Sequence, residues 1–153
     1  MIYAYKRDKN LRPVIIVNVA RVTASGIEIE ALMQTVDYFT NYTIENCMVP
    51  GHVESWTCIF DMKDIPLTKL PQKHLQAIVK CMSNNYRGRL FRFFATDVTW
   101  LFRGMWKMAH RMVDEFTKNK LLIYGDDYPK DLLSLIDSEN LEVKYGGTLP
   151  NKT

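Results

Sequence analysis

The chain has 153 residues, 47% hydrophobic and 24% charged, which predicts one globular domain over 1–153 and excludes a disordered segment. A formal net charge of +3 is too small to point to nucleic acid as a partner, but it is compatible with weak attraction to anionic lipid if the positive groups share a face. Cys47, Cys58 and Cys81 show no CxxC spacing, so a reduced cytoplasmic protein is expected; no signal-peptide pattern and no run of about eighteen apolar residues interrupts that reading.

In chain order, Arg12-Pro13 opens the β-branched run 14–19, which predicts a short buried strand. Ser25-Gly26 leads into a helix over 27–42 with Ile29, Leu32, Met33, Val36 and Phe39 on its apolar side. After the turn at Pro50-Gly51, residues 56–60 form a second strand ending at Asp61. Pro71 suits the first turn of a helix reaching about residue 82, with Leu75, Ile78, Val79 and Met82 on one side. Residues 89–95 read as a third strand, and Thr99 as the cap of an amphipathic helix over 100–113. A fourth strand over 121–124 closed by Gly125, a short helix over 129–136 and the turn Tyr145-Gly146-Gly147 complete the chain. Strand alternating with helix predicts an α/β fold with a mainly parallel sheet covered by helices.

The common catalytic signatures are missing: GxGxxG, GxxxxGK[ST], HExxH and GxSxG do not occur. His52, His74 and His110 lack metal-site spacing, so no metal and no cofactor is expected and the chain is not read as an enzyme. Asp61 and Asp97 each follow a strand, where they could carry a cation or cap turns; turn and helix capping is the commoner use of Asp. Cys58 lies within a strand and is expected to be buried and inert.

The helix over 100–113 carries the most information. Phe102, Met105, Trp106, Ala109, Met112 and Val113 share one face, while Arg103, Lys107, His110 and Arg111 fill much of the rest. An aromatic and Met-rich face backed by basic residues suits a membrane interface, although a surface helix packed on a sheet has the same periodicity. In the strands, alternation puts Trp56, Cys58 and Phe60 on one face. It also puts Phe91, Phe93 and Ala95 on one face and Leu90, Arg92 and Phe94 on the other. These aromatics could line a cavity or fill an ordinary core.

Several segments resemble CRAL-TRIO lipid-binding domains, in family order over nearly the whole chain. Lys6-Arg7-Asp8 before Arg12-Pro13-Val14-Ile15 resembles their opening, and the run from Trp56 through Asp61 to Asp64 their strand-Asp segment. Asn85-Tyr86-Arg87-Gly88-Arg89-Leu90 is similar to their Asn-Tyr-Pro-Glu-Arg-Leu turn. Trp100-Leu101-Phe102, Met105-Trp106-Lys107, Asp114 and Thr117 resemble their gate helix and the turn after it; Glu139-Asn140-Leu141 through Tyr145-Gly146-Gly147 resembles their close.

The resemblance implies a mixed, mainly parallel β-sheet as the floor of an apolar pocket, helices on its outer side, and a movable gate helix. It implies one bound lipid or small hydrophobic molecule, exchanged at membrane surfaces without chemistry, in a cytoplasmic protein that associates peripherally with membranes. The pocket would be lined by Trp56, Cys58, Phe60, Phe93, Ala95, Phe102, Trp106, Ala109 and Met112. Thr117 and Lys120 match the Thr and Lys that hold headgroups, and Arg87, Arg89, Arg103, Lys107 and Arg111 would dock on anionic membrane. Two departures point away from ordinary phosphatidylinositol/phosphatidylcholine exchange. Gly88 replaces the Glu of the turn, and Trp56 and Cys58 stand where small hydroxyl residues are used. The helical region that usually precedes the domain has no counterpart, so a bare domain is expected to expose surface and to favour dimers. The alternative within the same fold is a protein-interaction module that binds a small GTPase or its regulator, with Trp56, Phe93 and Trp106 closing the pocket.

Overall fold

The computed structural model describes residues 2–65, 67–86, 88–109 and 115–152, with the side chains of residues 67, 105, 108, 109, 116 and 117 outside the description. Strand β1 (Ile2–Arg7) runs antiparallel to β2 (Pro13–Asn18). Then follow α1 (Val19–Ser25), α2 (Ile29–Cys47), β3 (Trp56–Asp61), α3 (Gln72–Asn85), β4 (Leu90–Thr96), α4 (Trp100–Ala109), α5 (Glu115–Lys118), β5 (Leu121–Ile123) and α6 (Pro129–Leu135). The five strands lie in chain order, and β2 through β5 are parallel neighbours. Each parallel step therefore needs a helical crossover, and crossovers of one hand between sequential neighbours fall on one face of the sheet.

The mixed, mainly parallel sheet agrees with the fold class read from the sequence, with β1, α1 and α5 added. β1 was not predicted: its Tyr3 and Tyr5 are amphipathic and blur the alternation, and pairing with β2 makes it a strand. The run 14–19 also stops one residue early. The Asn18 side chain accepts a hydrogen bond from the Arg21 amide at 2.9 Å, which caps α1 and turns Val19 into its first residue. Gly26, at φ 60°, ends that short helix.

The pleat of the sheet separates two cores. Val14, Ile16, Ile59 and Phe94 face α6 and the C-terminal turns, where Tyr128, Leu132, Ile136, Leu141 and Tyr145 close over them. Ile15, Val17, Trp56, Cys58, Phe60 and Ala95 face the other way, toward the crossover helices. The C-terminal cover is locked by a buried charge network. Tyr145 donates to Asp61 at 2.9 Å, Tyr3 donates to Glu142 at 3.1 Å, and the Lys144 ammonium lies 3.1 Å from Glu142 and 3.6 Å from Asp61. Burial and then the neighbouring carboxylates push the phenols of Tyr145 and Tyr3 above their ordinary range, so both remain donors. Gly147 approaches the Leu141 carbonyl so closely that a Cβ would collide with it, which explains the second Gly of that turn.

Lys144 is thus the cation between two buried carboxylates, and removing it leaves both uncompensated. We expect Lys144→Met to cost about 3 kcal/mol of stability in urea denaturation. A loss under about 1 kcal/mol would mean that the group behaves as a solvent-screened surface pair.

Candidate functional site

The crossover side of the sheet is not solid. Between the sheet and α2, α3 and α4 lies a cavity of about 680 Å³. Its floor comes from alternate residues of four parallel strands: Ile15 and Val17, Trp56, Cys58 and Phe60, Leu90, Phe93 and Ala95, and Leu121 and Ile123. Val36, Phe39 and Thr40 of α2 and Leu75, Ile78, Val79 and Met82 of α3 form the walls, and Phe102 and Trp106 of α4 the remaining side. Ser83, Asn84, Tyr86 and Lys120 also border it.

One correction concerns β4. Trp56 pairs with Leu90 but Thr57 pairs with Arg92, so Phe91 is the extra residue of a bulge. The extra residue resets the alternation, and Leu90 rather than Phe91 shares the face of Phe93 and Ala95. Phe91 instead lies beneath the Arg12 guanidinium, 3.6 Å from its ring centroid, on the side where Arg12 pairs with buried Asp8. Phe93 turns inward and packs against Phe60 at 4.8 Å between ring centroids.

Of the pocket residues named from sequence, Trp56, Cys58, Phe60, Phe93, Ala95, Phe102 and Trp106 border the cavity. Ala109 is described only in backbone, at the last residue of α4, and Met112 lies outside the described residues. Lys120 borders the cavity, and Thr117 is described only in backbone within α5. Burial, and next the like charge of Arg92, push the Lys120 ammonium below its ordinary pKa. Among the docking residues, Arg89 donates to the Glu54 carbonyl at 3.1 Å, and Lys107 is exposed. Arg103 pairs with Asp127 at 3.7 Å and its guanidinium lies over Gly125; Arg87 and Arg111 lie outside the described residues. Thr99 caps α4 through its hydroxyl, which accepts from the Phe102 amide at 3.4 Å.

Sequence reading missed the α2 and α3 residues as cavity walls. Their periodicity marks them as apolar faces, which a solid core would equally require. It also missed Leu90, since a bulge leaves no mark in a run of aromatic and basic residues. Asp61 and Asp97 have structural partners: Asp61 accepts from Tyr145, Asn18 and the Lys63 amide, and Asp97 from the Tyr128 hydroxyl at 2.9 Å. Among the described residues no cluster of three His, Cys, Asp or Glu groups could hold a metal ion, and no helix is long and apolar enough to cross a membrane.

Cys58 is the one floor residue with a titratable group. Burial pushes its thiol from an ordinary 9.0 to about 12. At pH 8 its thiolate fraction should thus be about a thousandth of that of an unperturbed cysteine. Iodoacetate labelling followed by peptide mapping is expected to leave Cys58 unmodified in the native protein and to reach it after denaturation.

Comparison with known proteins places this geometry in context. The sequence profile of the CRAL/TRIO domain matches residues 1–147. The chain is similar to the SEC14 cytosolic factor of Yarrowia lipolytica, with 27% identity over 98% of this chain and 33% of that protein. It is also 27% identical, over 92% of its length, to 28% of an Arabidopsis thaliana protein named phosphatidylinositol/phosphatidylcholine transfer protein SFH7. The crystal structure of Sfh5 superposes with a TM-score of 0.70 over 96% of this chain and 54% of that one; at 16% identity this establishes the fold alone. The chain thus spans about a third of the length of these two curated relatives.

Proposed function

The chain belongs to the CRAL/TRIO domain family, and from that membership and the cavity we propose that residues 1–153 act as one unit that holds a single lipid and passes it on at membrane surfaces. The observation that carries this reading is the cavity itself. Its size falls in the range of pockets that enclose small molecules, and its walls are predominantly aliphatic and aromatic. Trp56, Phe93 and Trp106 border this space instead of filling it, which supports a carrier over an interaction module with a closed core.

The energetics suit a shuttle. Each methylene removed from water is worth ~0.8 kcal/mol, in the cavity as in the bilayer, so the large apolar contribution nearly cancels on transfer. Selection is left to shape and to a few polar contacts of about 1 kcal/mol each. Lys120, which borders the cavity, and Thr117 in the preceding short helix are assigned to the polar end of the lipid. The remaining pocket roles, of Ala109 and Met112, are carried over from the family resemblance and from their sequence spacing to Phe102 and Trp106. In this reading α4 is the gate, and no chemistry accompanies its movement.

Docking falls to the same region. Trp100 is 78% exposed and Leu101 45% exposed at the start of α4, beside Arg103 and Lys107. Exposed aromatic and basic side chains together suit the interface of an anionic bilayer. Arg89, at the other end of β4 and bonded to the Glu54 carbonyl, and Arg87 and Arg111, outside the described residues, are assigned to docking from the sequence alone. The expected behaviour is that of a peripheral protein of the cytoplasm, bound weakly enough to leave.

The direct test is transfer of a fluorescent lipid between donor and acceptor vesicles, where the purified chain is expected to raise the rate in proportion to its concentration. A rate equal to that of buffer alone would refute the carrier reading. Combining Trp100→Ala with Lys107→Glu is expected to weaken flotation with phosphatidylserine vesicles about tenfold or more. Unchanged flotation would move the docking surface elsewhere.

A further inference from the structure

We infer that the outer face of α2 is a docking surface for a basic, arginine-bearing segment of a partner protein, a role independent of what the cavity holds. Glu30, Gln34, Tyr38, Asn41, Tyr42 and Glu45 fall within about 120° of arc at helical spacing, and all six are exposed. The buried residues of the helix, Leu32, Val36, Thr40 and Thr43, lie on its opposite side. Two tyrosines stand at the centre of the exposed face. Tyr38 is 74% exposed and Tyr42 49%, and their rings stack at 6.5 Å between centroids and 26° between planes. Neither packs into either core, and Tyr is a poorer helix former than the Lys, Glu or Gln that usually cover a solvent face. Their π faces attract a guanidinium, and Tyr and Arg are residues that carry binding energy at protein interfaces.

Charge selects the partner. α2 contains Glu30, Asp37 and Glu45 and no Lys, Arg or His. Its neighbours are the reverse: α3 contains Lys73, His74 and Lys80, α4 contains Arg103 and Lys107, and neither has an acidic residue. An anionic bilayer would be repelled by the α2 face and attracted by those helices, so membrane docking leaves this face open. A second copy that set the same face against this one would oppose acid to acid.

Glu45 marks where the cation lands. It stands in the last turn of α2, where the helix macrodipole is negative and a basic side chain is the stabilising choice. No basic residue occupies that turn, and among the described residues neither Glu45 nor Glu30 belongs to an ion pair. Arg89 reaches Met48 just beyond the helix, its Nη1 4.0 Å from the sulfur, but that nitrogen donates to the Glu54 carbonyl at 3.1 Å. A guanidinium brought by a partner would meet the Glu45 carboxylate, the carbonyls of the helix end and the Tyr42 ring together.

Two peptides of equal charge, one alternating Arg and Ser and the other Lys and Ser, are titrated into the isotope-labelled chain and followed by amide chemical shifts. The Arg peptide is expected to shift the amides of 30–47 and to bind about fivefold or more tightly than the Lys peptide. Tyr38→Ser with Tyr42→Ser is expected to remove that preference, whereas Tyr38→Phe with Tyr42→Phe keeps it. Glu45→Lys is expected to weaken binding about tenfold or more while raising Tm by about 2 °C, because it places a cation at the helix end. Equal affinity for the two peptides in the unmodified chain, shifts confined to other elements, or no saturable binding would overturn the inference. Sedimentation that shows a dimer dissolved by the paired Ser substitutions would also overturn it, assigning the face to a second copy.

Discussion

The hydrogen-bonded ladder of β2, β3 and β4 has to serve two faces that are packed in opposite ways. On one face Ile16, Ile59 and Phe94 are sealed under α6 and the C-terminal turns. On the other, Ile15, Cys58 and Phe93 look into a cavity that the crossover helices span without filling. A sheet with both faces hollow would have little to hold it, so the solid face must stabilise the open one. The Asp61, Glu142 and Lys144 network belongs to that role: it fastens the last turns of the chain over the reverse face, close to the carboxyl ends of the central strands.

The same arrangement governs what the site does. Because the floor is fixed from behind, adaptability must come from the helical side, where Phe102 and Trp106 of α4 border the cavity. An apolar guest inside exchanges one apolar surrounding for another, so the binding energy sets little preference between bilayer and cavity, and shape decides which guest fits. The exposed Trp100 and Leu101 lie on the same helix, so the element assigned to the gate is also the one assigned to the membrane.

Much of this was legible in the sequence because it depends on local pattern. The strand 56–60, the Thr99 cap and the amphipathic helix that follows it came directly from alternation, cap chemistry and helical period. The order of the resemblant segments supplied the family, which the profile match over residues 1–147 establishes. What stayed hidden depends on tertiary register. The bulge at Phe91 reversed the side taken by Leu90, and β1 became visible only through its pairing with β2. Apolar faces such as Leu75, Ile78 and Met82 read identically in a full core and around a cavity, since periodicity records which way a side chain points and not what it meets.

The central claim is that the hollow face accepts one lipid per chain. Native mass spectrometry of the chain after incubation with mixed-lipid vesicles and removal of the vesicles tests it most directly. The account predicts a single adduct of lipid mass at one-to-one stoichiometry, lost when the cavity is filled by Cys58→Trp in a protein that still folds. A mass that remains that of the bare chain at saturating lipid would contradict it.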